Sequence, residues 1–200
     1  IRLEFVDLGG GLGIPYRRSQ GEEAPTPGEY ADAVVPPVRE LSRELGTTLS
    51  LWVEPGRFLV ADSTVLLTRV NSVKRAHKNF VNVDAGFNLL VRPAMYDAYH
   101  EVVVAGKAGA PGTEVYTVTG PICESGDILA EDRLLPPVAA GDLIAVLDAG
   151  AYGFAMSSQY NGRPRCAEVL VHRGEAALMR RAETIADLTA TMVVPPWQKG

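Results

Sequence analysis

The chain has 200 residues, 46% hydrophobic and 22% charged, a mean hydropathy of +0.05 and a formal net charge of −5. Such a composition describes a globular chain able to bury one or two cores and excludes a low-complexity or disordered one. The acidic balance and the brevity of the one basic cluster, SVKRAHK from Ser72 to Lys78, argue against a nucleic-acid partner, and no apolar run approaches the ~20 residues that cross a bilayer, so no membrane partner is expected.

In chain order, IRLEFVDL (1–8) reads as a buried strand. The chain opens without Met and inside what reads as a strand, so the sequence is expected to be a fragment whose N-terminal part lies elsewhere. Three glycines follow, Gly9, Gly10 and Gly11. Bare backbone after a strand can converge its N–H groups into a phosphate nest, or it can form a tight turn with no ligand. The dinucleotide fingerprint G-x-G-x-x-G fails here because Ile14 stands where the third glycine belongs. The polar loop RRSQGEEAPTPGE (17–29) is expected to be mobile. Val34, Val38, Leu41 and Leu45 then form a helical stripe ended by Gly46, with the regular helix expected to start at Pro36 or Pro37 after an irregular entry. A second strand lies within LSLWVEPGRFLV (49–60), completing a βαβ unit. It delivers Glu54, Pro55, Gly56 and Arg57 to the same end as the glycines, where barrel enzymes keep their chemistry; a surface ion pair around a Pro-Gly turn is the alternative.

From about Asp62 the texture changes to short β-rich runs: LLTRVNSV, NFVNVD, HEVVVAG, EVYTVTG, DLIAVLD, AEVLVHRG and EAALMRR. The sequence therefore predicts two domains, an α/β piece over 1–62 and a mainly antiparallel β domain over 63–200. Helices are expected over Leu89–His100 and near Glu183–Leu188. Cys123 and Cys166 show no CxxC spacing, so neither a disulfide scaffold nor a zinc site is indicated, and a reducing, cytoplasmic setting fits. Within GPICESGD (120–127) a thiol precedes a carboxylate, useful where a proton or an ammonium needs a partner, although a lone Cys is also a small core residue. DAGAYGFAMSSQYNGRP (148–164) carries Tyr152 on a segment too glycine-rich for a packed strand. His77, His100 and His172 show no metal-ligand spacing and read as structural, as do Cys166 and Trp52.

Taken in order and spacing, DLGGGLGIPY, EPGR, RPAMYDAYH, GPICESGD and GAYGFAMSSQYNGRP resemble the C-terminal half of the diaminopimelate decarboxylases, fold-type III pyridoxal-phosphate enzymes. The resemblance covers Leu3 to about Pro164. It implies the last strands of an alanine-racemase-like (TIM) barrel followed by the family's β domain, and loss of CO₂ from meso-2,6-diaminopimelate to give L-lysine. The barrel's front half, with the lysine that binds the cofactor as a Schiff base, would be absent, because Lys74, Lys78, Lys107 and Lys199 lie in no matching motif.

By the same resemblance Gly10 and Gly11 offer amides to the phosphate of pyridoxal 5′-phosphate, Glu54 faces its pyridine nitrogen, and Pro55, Gly56, Arg57 and Tyr152 complete the cofactor site. Arg57, Arg92, Tyr96, Glu124 and Tyr152 meet the amino-acid substrate. Arg92 and Tyr96, at i and i+4, would present a guanidinium fork and a hydroxyl to the distal carboxylate, with Glu124 for the distal ammonium. Cys123 matches the proton donor, on a loop contributed across a homodimer interface. A racemase of this fold opposes the pyridine nitrogen with arginine, against which Glu54 argues. A decarboxylase of another basic amino acid would find Arg92 misplaced.

Overall fold

The computed structural model describes residues 2–198. Strands β1 (Phe5–Asp7) and β2 (Ser50–Trp52) pair in parallel, Phe5 opposite Ser50 and Asp7 opposite Trp52, and helix α1 (Pro27–Glu44) joins them. Trp52 stacks on Phe5 with ring centroids 4.5 Å apart, but both rings stay exposed, so the pair is a surface stack and not the core packing expected of Trp52. The helix corrects the expected start: it begins at Pro27 and runs through Pro36 and Pro37. Its first turn is set upstream by a capping box, in which the Thr26 side chain accepts the Glu29 N–H while the Glu29 carboxylate accepts the Thr26 N–H. Pro27 at the first helical position gives up a donor that would be unpaired anyway. The C-terminus follows the reading, with Gly46 at φ +63°, its N–H on the Arg43 carbonyl and the Thr47 N–H on that of Ser42. The loop expected to be mobile is tied down, because Arg18 Nη1 reaches both carboxylate oxygens of buried Asp148 at 2.8 and 2.9 Å and Arg17 lies 4.1 Å over the Tyr99 ring.

After α2 (Gly56–Val60) come β3 (Leu66–Arg75), β4 (Asn79–Val83), α3 (Arg92–Tyr96), β5 (Val102–Val104), β6 (Glu114–Thr119), β7 (Ile128–Leu135) and β8 (Leu143–Val146). The strands form one sheet in the order β5-β8-β3-β4-β6-β7. Every neighbouring pair is antiparallel except β4 with β6, so the sheet is mainly antiparallel as expected, with one parallel pair. The edge strands β5 and β7 touch, curling the sheet around a core of Val81, Val83, Leu90, Tyr116, Val118 and Ile144, each fully buried. Each aliphatic side chain so buried contributes about 1.5–3 kcal/mol.

All seven β-rich runs are strands, the last two being β9 (Glu168–His172) and β10 (Glu175–Arg180), an antiparallel hairpin. The sequence reading overlooked β7. Its run of Glu131, Asp132 and Arg133 breaks the alternation, which an edge strand with a register shift and a left-handed Asp132 (φ +52°) tolerates. The helix expected over 89–100 is only α3, because Asp97 at φ +52° ends it by returning its N–H to the Arg92 carbonyl. The closing helix α4 (Ile185–Thr189) is capped by Thr184 with Asp187.

Candidate active site

The glycine turn after β1 is stitched to the turn after β2. Gly9 donates to Asp7 Oδ1 at 2.8 Å and its carbonyl accepts the Glu54 N–H at 2.7 Å. A Cβ on Gly10 would stand 2.8 Å from the Glu54 carbonyl oxygen, so only glycine lets the two turns lie this close. Gly11 is left-handed at φ +101°. The N–H groups of Gly10 and Gly11 make no hydrogen bond among the described residues, and both glycines are exposed. Two convergent free amides are what a small anion needs.

Glu54 lies exposed beside them, and its carbonyl takes the Gly56 N–H at 2.8 Å, turning the chain into α2, whose second residue is Arg57. The segment 148–153 presses on this region from far along the sequence. The Gly150 N–H donates to the Ala61 carbonyl at 3.0 Å, and a Cβ on Gly150 or Gly153 would run into the carbonyls of Val60 and Ala149 respectively. Tyr152 is held between them at φ +60°, with its hydroxyl 3.8 Å from where a Gly56 Cβ would stand. A left-handed bulky residue is strained, and the flanking close approaches keep it there.

The centre of the group is a residue to which the sequence reading gave no role. The Tyr16 ring lies 5.8 Å from the Arg57 guanidinium and 4.9 Å from that of Arg92, and Arg57 is also 5.9 Å from the Tyr152 ring. Arg92 is only 5% exposed, yet neither it nor Arg57 forms an ion pair among the described residues. Instead Arg92 Nη1 is 2.9 Å from Nε2 of fully buried His100, whose Nδ1 is 2.8 Å from the Leu147 carbonyl. Among the described residues the buried Tyr16 hydroxyl has no hydrogen-bond partner. Two guanidiniums near one ring, neither in an ion pair among the described residues, leave positive charge that suits an anionic ligand. No spacing in the sequence points to Tyr16 or His100; they reach Arg92 through tertiary packing alone.

A second group stands apart. Buried Asp127 shapes the 120–127 loop by accepting the N–H groups of Phe87 and Ile122, both at 2.7 Å, with Gly120 packed against its carboxylate. This lifts Cys123 and Glu124 onto an exposed tip. Asn161, left-handed at φ +56°, donates from Nδ2 to Cys123 Sγ at 3.4 Å. No hydrogen bond, ion pair or aromatic contact among the described residues joins Cys123 or Glu124 to Arg57, Arg92 or Tyr152. Tyr96, one turn beyond Arg92, is 60% exposed, so the two helical neighbours share no buried environment.

Residues 31–150 match the family described as pyridoxal-dependent decarboxylase, C-terminal sheet domain. The chain belongs to that family. Among its relatives, the diaminopimelate decarboxylase of Archaeoglobus fulgidus is 58% identical over 98% of this chain, and that of Methanothermobacter thermautotrophicus is 46% identical over 98%. Among solved structures, the diaminopimelate decarboxylase from M. jannaschii, one of its two structures a co-complex with L-lysine, is 40% identical over 99% of the chain with a TM-score of 0.89. The chain spans just under half the length of these relatives, 46% and 45% of the two sequences and 45% of the crystallised chain. The free amides of Gly10 and Gly11, the cradle that a Gly10 Cβ would fill, and the unpaired guanidiniums suit the phosphate and carboxylates that such a family handles.

Proposed function

We propose that this chain acts as the C-terminal half of a pyridoxal-phosphate-dependent decarboxylase that converts meso-2,6-diaminopimelate to L-lysine and CO₂. The observation that carries the reading is the pair of guanidiniums, Arg57 and Arg92, 5.8 and 4.9 Å from the Tyr16 ring centroid and neither in an ion pair among the described residues. A substrate with a carboxylate at each end balances both; an amino acid with a cationic chain end would leave buried Arg92 uncompensated.

Pyridoxal phosphate, when bound, supplies the electron sink for the carbon that loses CO₂. Gly10 and Gly11 hold its phosphate on their amides. Glu54 holds a proton on its ring nitrogen, since a carboxylate beside a pyridine favours the charged ring. Arg57 orients the substrate from the cofactor side, while Tyr152 crowds the same end and excludes water. Arg92 binds the distal carboxylate and thereby fixes which stereocentre reaches the cofactor. Glu124 faces the distal ammonium, and Tyr96 borders the same end. Cys123 gives its Sγ proton to the carbon that lost CO₂, and the Asn161 amide, donating to Sγ, stabilises the sulfur as it becomes a thiolate.

The separation of the Cys123 tip from the Arg92 group favours a homodimer in which each tip completes the partner subunit's site. The parallel pair β1–β2 with α1 is read as the end of a barrel whose remaining strands, with the lysine that binds the cofactor, lie in the half of the relatives that this chain does not span. In the full-length holoenzyme Arg92→Ala is expected to raise KM for diaminopimelate at least tenfold while leaving cofactor absorbance intact. An unchanged KM, or equal loss of cofactor, sinks the assignment of Arg92.

A further inference from the structure

His100 was read as structural, but its two ring nitrogens admit one protonation state. Nδ1 faces the Leu147 carbonyl, which can only accept, so Nδ1 carries the hydrogen. Nε2 faces Arg92 Nη1, which can only donate, so Nε2 offers its lone pair. The ring is fully buried, and the edge-on Tyr16 ring, centroid 5.5 Å away at 74°, blocks reorientation. The short helix α3 ends at left-handed Asp97, which turns the chain so that His100 lies beneath Arg92. We infer that neutral His100 is the positioning residue for Arg92, accepting its Nη1–H on Nε2 and so aiming the guanidinium that binds the distal carboxylate.

The inference rests on the reading of Arg92 given above. It also makes that binding sensitive to pH. A proton on Nε2 would set donor against donor and cation against cation. The charged groups around His100 are Arg92 on α3, Arg133 on β7, and Asp148 after β8, itself paired with Arg18 from the loop after β1. Burial pushes the imidazole below its ordinary 6.5, opposed by the Leu147 carbonyl and Asp148 and aided by Arg92 and Arg133. The neutral ring therefore prevails at neutral pH, and the Arg92 anchor weakens as the pH falls below the ordinary histidine range.

The test uses the full-length holoenzyme with three variants, H100L, H100Q and R92A. His100→Leu removes the acceptor and is expected to raise KM for diaminopimelate about tenfold with kcat changed less than about threefold. His100→Gln offers an amide oxygen near the Nε2 position and is expected to restore KM while abolishing its rise as the pH falls below 6.5. The ¹⁵N spectrum of histidine-labelled wild type, its His100 signals identified by their loss in H100Q, should show a protonated Nδ1 and a bare Nε2 at pH 7.5. A protonated Nε2, a KM untouched in H100L, or an H100Q that keeps the acid rise overturns the inference. If H100L leaves KM unchanged while R92A raises it, only the role of His100 fails; if R92A leaves KM unchanged, the reading of Arg92 fails with it. The nitrogen spectrum needs no turnover and decides the protonation state whatever the variants do.

Discussion

Gly10 shows how one missing methyl group positions chemistry. Its hydrogen faces the Glu54 carbonyl where a Cβ would stand at 2.8 Å, and the obstacle is backbone rather than a flexible side chain. Gly10→Ala must therefore push the two turns apart, at a cost of about 1–3 kcal/mol. The expected outcome in the full-length enzyme is a lowered Tm together with at least tenfold weaker pyridoxal phosphate binding in a cofactor titration. A variant with wild-type affinity would show that the amides of Gly10 and Gly11 do not hold the phosphate. Tyr16 is the counterpart on the side-chain level: an aromatic face is the one group that lies against both guanidiniums without neutralising either.

Among the elements, the segment after β8 is clipped by one carboxylate. Glu183 accepts from Arg165 N at 2.9 Å, Nε at 2.8 Å and Nη2 at 2.6 Å, and from Gln159 Nε2 at 3.1 Å. Those bonds, the Arg165 side chain foremost, hold its carboxyl at about 2 against an ordinary 4.5. A group whose folded value lies below its unfolded one stabilises the fold fully above the unfolded value, and its contribution fades as the pH falls from 4.5 towards 2. Hydrogen exchange at the Arg165 N–H, corrected for intrinsic rates, should thus stay constant from pH 7 to 5 and speed up below 4.5. In Glu183→Gln it should be faster already at pH 7 and lose that inflection. The elements also show where periodicity misleads: α1 was legible from its stripe and Gly46, but its start lay in the Thr26–Glu29 capping box, which outweighs two internal prolines. Strand β7 was hidden because an edge strand needs only one apolar face and bulges at Asp132.

At the scale of the whole molecule the proposed site falls into two groups that this chain does not join. If the Cys123 tip completes the partner subunit's site, C123A is inactive and R92A loses most of its turnover at diaminopimelate concentrations below the wild-type KM, yet a mixed dimer contains one site with both residues intact. Subunits of the two full-length variants, dissociated and reassociated in equal amounts, should recover about a quarter of wild-type turnover, as random pairing across a two-fold interface requires. No recovery, with mixed dimers present by mass spectrometry, would place Cys123 in its own subunit's site.

Read alone, the sequence carries what is local or recurrent. Its β-rich runs mark the strands, Gly46 marks a helix end, and five ordered motifs mark the family, because turn glycines, periodicity and motif spacing are written in neighbouring residues. Gly10 meets Glu54 through the parallel pairing of β1 with β2, Tyr152 meets Gly56 through the docking of segment 148–153, and Tyr16 and His100 close on Arg92 where α3 ends. Those contacts join residues 8 to 96 positions apart, and hydrophobic burial, which is blind to sequence distance, is what selects them.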